Sequence, residues 1–425
     1  MLKPAVPLVR WGLSLAHPQW QCGMRPFFVA GTLLALLAML LWLAFLVGGL
    51  PLPAAADRLG PFAWHGQTLL MGLGLAAVVG FVLTAVPEFT ATPSCEPRRV
   101  RALFLCWLTG FVASQWAGPA ALLLGALGWT ALLLGTLAWA APRLWRDPAR
   151  AQLAFGWALL ALTAVVLGWH VDAWRGAPLS RWLDALLGVQ MALMVVALSR
   201  ISMRIVNRSL DDRRAAQRRA GLPVDDTVYL ARPPRRQLAL ITIGLFTATQ
   251  WAAPGERVTG WLALAAAAAL AHLLNDWHVG RALLHRRPLM LYAVYVSMAL
   301  GYTGLGLGAL AGQAGWTSAG RHLLAVNAFG LGILAVFAIA GRTHAGWPDE
   351  RRAWLPAAAG ALLLAGAARA ASALGLAPAV MLVVAALAWL AAWGAVAVWL
   401  LPLWQAERPD GRRGCDEPDE AGSGC

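Results

Sequence analysis

The chain has 425 residues, 60% of them hydrophobic and only 13% charged, well below the roughly 25% charged that soluble globular domains carry. Mean hydropathy is +0.63, and apolar runs of spanning length recur from Phe27 to Pro402, so a soluble fold is excluded and the lipid bilayer is the expected partner. A net charge of +14 would point to nucleic acid in a soluble protein, but here the arginines sit between apolar runs, where they set membrane orientation.

In chain order, the start MLKPAVPLVRWGLSLAHPQW lacks a long apolar region with a small-residue cleavage site, so no cleaved signal peptide is expected. Apolar runs broken by Pro, Gly, Asp and Arg clusters predict spans near 27–50, 65–86, 101–117, 119–141, 152–170 and 182–203. The second series is 237–253, 257–275, 289–312, 320–341, 353–370 and 377–402. The breaks around Pro119 and Leu374 are the shortest, and a merged or re-entrant pair is the alternative at each. The fold class is therefore an all-α, polytopic transmembrane bundle of about twelve helices.

With the N-terminus inside, all of the 34 Lys and Arg except Arg58, Arg175, Arg181, Arg257, Arg321 and Arg369 fall on the cytoplasmic side. That asymmetry predicts a multi-pass protein of the bacterial inner membrane with both termini cytoplasmic. The organisation expected is a six-helix half over 1–203, a basic cytoplasmic linker over 204–236, a second six-helix half over 237–405 and a disordered cytoplasmic tail over 406–425. Tryptophans near span ends (Trp64, Trp169, Trp182, Trp251, Trp277, Trp316, Trp347 and Trp404) read as an aromatic belt. The small residues Gly72, Ala76 and Gly80, and Gly301, Gly304 and Gly308, suit close helix packing or the approach of a flat cofactor.

The five cysteines, Cys22, Cys95, Cys106, Cys415 and Cys425, form no C-x-x-C pair, and most fall on the cytoplasmic side, where thiols are expected reduced. The orientation also sorts the histidines. His65, His170 and His322 lie toward the periplasmic face; His17, His272, His278, His285 and His344 lie toward the cytoplasm. Three imidazoles at one depth are candidates for iron or copper, because neutral imidazole is a strong ligand for both, with interfacial pairing beside Trp64 and Trp169 as the bland alternative. His272 stands inside an alanine-rich span, where an ionisable group is a functional candidate. No phosphate-binding loop, H-E-x-x-H pair or G-x-S-x-G elbow occurs.

Several segments together resemble the NnrS family of bacterial membrane proteins: RPFFVAGTLLALLAMLLW from Arg25, WHGQTLLMG from Trp64, GFVLTAVPEFT from Gly80, RPLMLYAVYVSMALGYTGLGLGAL from Arg287 and RHLLAVNAFGLGILAVFAIAGRTHAGWP from Arg321. The resemblance implies twelve helices, bound haem and copper, and a link to nitric oxide metabolism or nitrosative-stress defence. It places His65 at the first histidine of the family's W-H-x-H-E segment, His322 in the segment opening the tenth span, and His344 in the family's G-H-T-G-like ending. Haem is then expected at His65 and His322, or His170, and copper at His65, His322 and His344. Gln67 and Thr68 stand where the family has its second histidine and glutamate, and RISMRIVN from Arg200 also departs from the pattern. The alternatives are a secondary solute transporter, for which the major-facilitator loop segment and midplane charges are missing, and a scaffold without cofactor.

Overall fold

Proline marks where many of the helices begin. Pro61, Pro97, Pro119, Pro233 and Pro378 each take the first helical position, where the missing N–H has no partner to lose and φ is already helical. Helix ends use the complementary device: Gly176 and Gly312 adopt the left-handed conformation, at φ 69° and 64°, directly after a helix. The computed structural model describes residues 12, 14–148, 150, 152–224, 227–277, 279–348 and 350–415.

Among these residues, twelve long helices follow the twelve predicted spans. They are α1 (Met24–Gly48), α2 (Pro61–Thr90), α3 (Pro97–Ala113), α4 (Pro119–Arg146), α5 (Leu153–Arg175), α6 (Ser180–Arg219), α7 (Pro233–Ala252), α8 (Arg257–Leu274), α9 (Arg286–Ala311), α10 (Ala314–Thr343), α11 (Trp354–Ala373) and α12 (Pro378–Gln405). Ten are long and apolar enough to cross a membrane; the other two are α3, with 17 residues, and α7, whose first turn carries Arg235 and Arg236. The breaks at Pro119 and Leu374 separate distinct helices. Large apolar side chains such as Leu37, Leu105, Leu123, Trp157 and Trp261 are exposed on helix flanks, a surface that suits lipid and not water. The protein is a multi-pass membrane bundle.

One compact unit gathers Met1–Leu186, Val336–Ala358 and Leu390–Cys425; the other gathers Leu187–Ala335 and Ala359–Trp389. In the first, Phe28 stacks on Phe337 with centroids 3.9 Å apart, and Trp404 closes edge-on over both while donating its Nε1–H to Gly341 O. In the second, α9 and α10 approach so closely that a Cβ on Gly304 would stand 2.9 Å from the Gly320 Cα. The glycine stripes are thus filled by helices: Leu34 covers Gly72, Phe28 covers Gly80, and Leu324 and Thr317 cover Gly301 and Gly308. Four tryptophans assigned to an interfacial belt, Trp64, Trp169, Trp277 and Trp404, are buried core residues.

Three expectations need correction. The linker from residue 204 starts as helix: α6 continues to Arg219, because Arg, Ala, Gln and Leu favour helix and Asp211 pairs with Arg214 one turn on. Beyond it the chain is docked, with Asn207 bonding both backbone groups of Tyr229 and Arg235 bonding Asp276. The tail is packed as far as it is described: Arg408 is buried and bonds His344 O and Asp410, while residues 416–425 lie outside the described residues.

The third correction concerns the cysteines. Cys22 and Cys415 form a disulfide across a sequence separation of 393 residues, a distance that hides the pairing from any local motif. Cys22→Ser is expected to destabilise the oxidised protein by about 2–4 kcal/mol and to make Cys415 available to a maleimide. After denaturation without reductant, wild type should take up one maleimide fewer than the variant; one more in wild type than in the variant would show that the bond does not form.

Candidate functional site

Helices α2 and α10 share an uncommon construction. Each has 30 residues and is interrupted by six residues of π-helix, Thr68–Leu73 in α2 and Leu323–Ala328 in α10. A π-turn inserts a residue and re-aims the side chains before it, and such turns concentrate at functional sites. The last residue ahead of the turn is Gln67 in α2 and His322 in α10. The π-turn of α2 is held from outside, where Trp107 donates its Nε1–H to Gly72 O at 3.0 Å.

The residues around the first π-turn are polar and poorly satisfied. Half-buried His65 lies flat on Trp42 with centroids 4.3 Å apart. Gln67 is 2% exposed, and its Oε1 has no hydrogen-bond partner; the hydroxyl of Thr68 is likewise unpaired. In the second unit, the Oδ1 of buried Asn327, inside the π-turn of α10, has no partner either.

Beside Gln67 the first unit holds a small cavity whose lining includes Arg58, Gln67, Ser114, Gly125, Trp169 and His170. Its enclosed space is close to that of a single water molecule. His170 donates from Nδ1 to Val166 O at 2.8 Å, which leaves Nε2 as an acceptor. That nitrogen faces Gly125, 3.4 Å from where an alanine methyl would stand. The Nε1–H of Trp169 is buried without a partner. Arg58 donates to Ala173 O at the end of α5, and Asp172 is fixed by Arg181 and Trp182 at the start of α6.

The histidines chosen from sequence are distributed unequally. His65, His170 and His344 belong to the first unit and His322 to the second. His322 donates from Nδ1 to Ser318 O at 2.8 Å, an arrangement that fixes the tautomer used by metal-ligating histidines. His344 is buried with Nδ1 on Cys415 O at 2.7 Å and Nε2 at 3.4 Å from the Glu88 carboxylate. His272 is exposed at the end of α8, not buried within the bundle, and His278 lies outside the described residues. His285 bonds Ser209 at 2.6 Å.

These surroundings test the implied cofactors. Among the described residues no three of His, Cys, Asp and Glu group as a metal set, and both ring nitrogens of His344 face polar partners. The cavity at His170 is far smaller than haem. His65, against an aromatic surface of Trp42 and Phe62, and His322, with its tautomer fixed, suit an imidazole ligand's role.

Residues 18–408 match the family described as NnrS protein. The chain belongs to the NnrS family. No curated protein matches it. The NnrS match takes in all twelve helices and ends before Cys415, so one partner of the disulfide lies beyond the NnrS region. Sequence reasoning overlooked Arg58, Trp169 and Gly125. Only the shared placement of Gln67 and His322 in two 30-residue spans would have offered a signal, and a π-turn leaves no compositional mark.

Proposed function

We propose that this NnrS protein binds haem and acts on nitric oxide in the bacterial inner membrane, with its termini cytoplasmic. His65 in the first unit and His322 in the second are each a candidate imidazole ligand for haem. The observation that carries the reading is the paired α–π–α construction: His322 stands immediately ahead of the π-turn of α10, and His65 lies two residues before Gln67, which stands immediately ahead of the π-turn of α2. Trp42 holds the His65 ring in place by stacking, and Ser318 O holds His322 through Nδ1. Haem, when bound, supplies an iron centre able to bind nitric oxide. Copper is not part of the proposal, since Gln67 replaces a histidine of the family segment and amide oxygen is a poor ligand for it.

The test is the visible spectrum of protein purified after expression with ample haem. Wild type is expected to show a Soret band, and His322→Ala to lower haem occupancy at least tenfold, with His65→Ala shifting or removing the band. Absence of haem from wild type would end the proposal. Full haem occupancy with unchanged bands in both variants would move the ligands elsewhere.

A further inference from the structure

We propose that the Cys22–Cys415 disulfide is a thiol-exchange switch: reduction by a dithiol releases the strap of residues 406–415 and uncovers His344. The inference goes beyond haem binding and does not depend on it. Past Gln405 the chain leaves α12 and runs without regular structure to Cys415, and of residues 406–415 only Arg408 and Cys415 are buried. Apart from the disulfide, no apolar side chain anchors the strap. Its other ties are hydrogen bonds to its backbone. Arg25 Nη1 donates to Ala406 O at 2.8 Å, His344 Nδ1 donates to Cys415 O at 2.7 Å, and Arg408 Nη1 donates to Gly414 O and, across to the bundle, to His344 O. Arg408 and Asp410 also lie over Gly346, with Arg408 Nε 3.2 Å from where a methyl on that glycine would stand.

The two ends of the bond differ in what else holds them. Cys22 is fully buried ahead of α1, its sulfur 3.9 Å from Thr84 Oγ1 of α2, and stays with the helices. Cys415 lies past residue 408, where the NnrS match ends, so the bond ties the bundle to a segment beyond it and joins no two of its helices. Ordering such a segment costs more conformational entropy than a few hydrogen bonds exchanged with water return. Loss of the bond therefore lets the strap leave. In the exchange a thiolate of the dithiol attacks one sulfur, the S–S bond breaks and a mixed disulfide forms; the second thiol of the reductant then displaces the remaining cysteine. The dithiol leaves as its own disulfide, having given two electrons, and Cys22 and Cys415 take up the two protons it loses. Residues 409–413 are exposed, so local fraying of the strap admits the reductant without unfolding the bundle. His344, 4% exposed and beside Glu88, meets solvent once Cys415 O withdraws.

Purified full-length protein in detergent tests the switch independently of membrane orientation. Dithiothreitol serves as the dithiol and diethyl pyrocarbonate as the probe of accessible imidazole, with the modified histidines located by peptide mass spectrometry. Reduction is expected to raise modification of His344 roughly tenfold or more and to leave His170, buried on α5, protected. Cys415→Ser should show the raised His344 reactivity without reductant and no further response to it. That variant changes a residue outside the matched NnrS region, and the wild-type arm needs no substitution. Full reduction with His344 still protected, reduction only after the helices unfold, His344 and His170 becoming reactive together, or a protected His344 in Cys415→Ser would overturn the proposal.

Discussion

Replacing Gly128 by alanine is expected to destabilise the bundle by about 3 kcal/mol or more, although the change adds one methyl group. Its Cβ would stand 2.4 Å from Gly110 N, 2.7 Å from Gly110 Cα and 2.9 Å from Cys106 O. Those are backbone atoms of α3, so no rotamer change relieves the overlap and α3 and α4 must separate. Their separation would disturb Trp129, which follows Gly128, rests against Gly110 and bonds Ser114 Oγ at 3.1 Å. Helices in lipid lack a strong hydrophobic force toward each other and hold through such close contact between small residues. The measurement is the thermal midpoint of solubilised protein by size exclusion, with Gly125→Ala as a control one turn earlier on α4. Gly128→Ala should lose about 5 °C or more and Gly125→Ala almost nothing. Equal midpoints for the two would refute the contact argument.

The contrast between Gly125 and Gly128 also shows what sequence leaves unwritten. Spans were legible because lipid imposes one demand everywhere, about 20 apolar residues closed by polar or helix-breaking ones, and Pro119 and Gly176 say where helices start and stop. The candidate site was legible only in part. His65 and His322 stand in segments that carry the family likeness, but no local pattern distinguishes a glycine that meets backbone from one that opens a cavity. The pairing of Cys22 with Cys415 and the burial of Trp169 depend likewise on which helices become neighbours. His272 misled for a related reason: an ionisable residue in an apolar run reads as intramembrane, while its place at the end of α8 leaves it exposed.

The π-turns escaped for a different reason. Nothing in TLLMGL or LLAVNA departs from helical composition, and the widened turn is sustained by tertiary partners such as Trp107 on Gly72 O. Such a turn needs an outside donor or a close neighbour for its backbone, which ties the aim of the residue before it to packing elsewhere. Gln67 is consequently both the residue that departs from the family pattern and the one that the fold holds buried, unsatisfied and beside a cavity.

A second large effect is expected at Glu350, between α10 and α11. Its carboxylate is almost fully buried and takes Arg342 Nη1 at 3.1 Å, Arg352 Nη2 at 2.8 Å and the Arg352 backbone N–H at 3.0 Å. Arg342 is itself buried and also donates to Pro348 O, so one carboxylate holds the chain segment that leaves α10 just past His344. Glu350→Gln keeps the shape but strands the Arg342 cation, and breaking a buried pair in this way costs roughly 3 kcal/mol. Burial alone would raise the Glu350 pKa, but the hydrogen bonds from Arg352 and the Arg342 charge outweigh it and hold the group at about 2. The folded value lies below the unfolded one, near 4.3, so the stabilisation is complete above about pH 5 and is lost as pH falls through 4 toward 2. Thermal midpoints of wild type and Glu350→Gln should accordingly differ by a constant amount from pH 8 to pH 5 and converge below pH 4. A gap that widens on acidification, or none at neutral pH, would show that the pair does not anchor this turn.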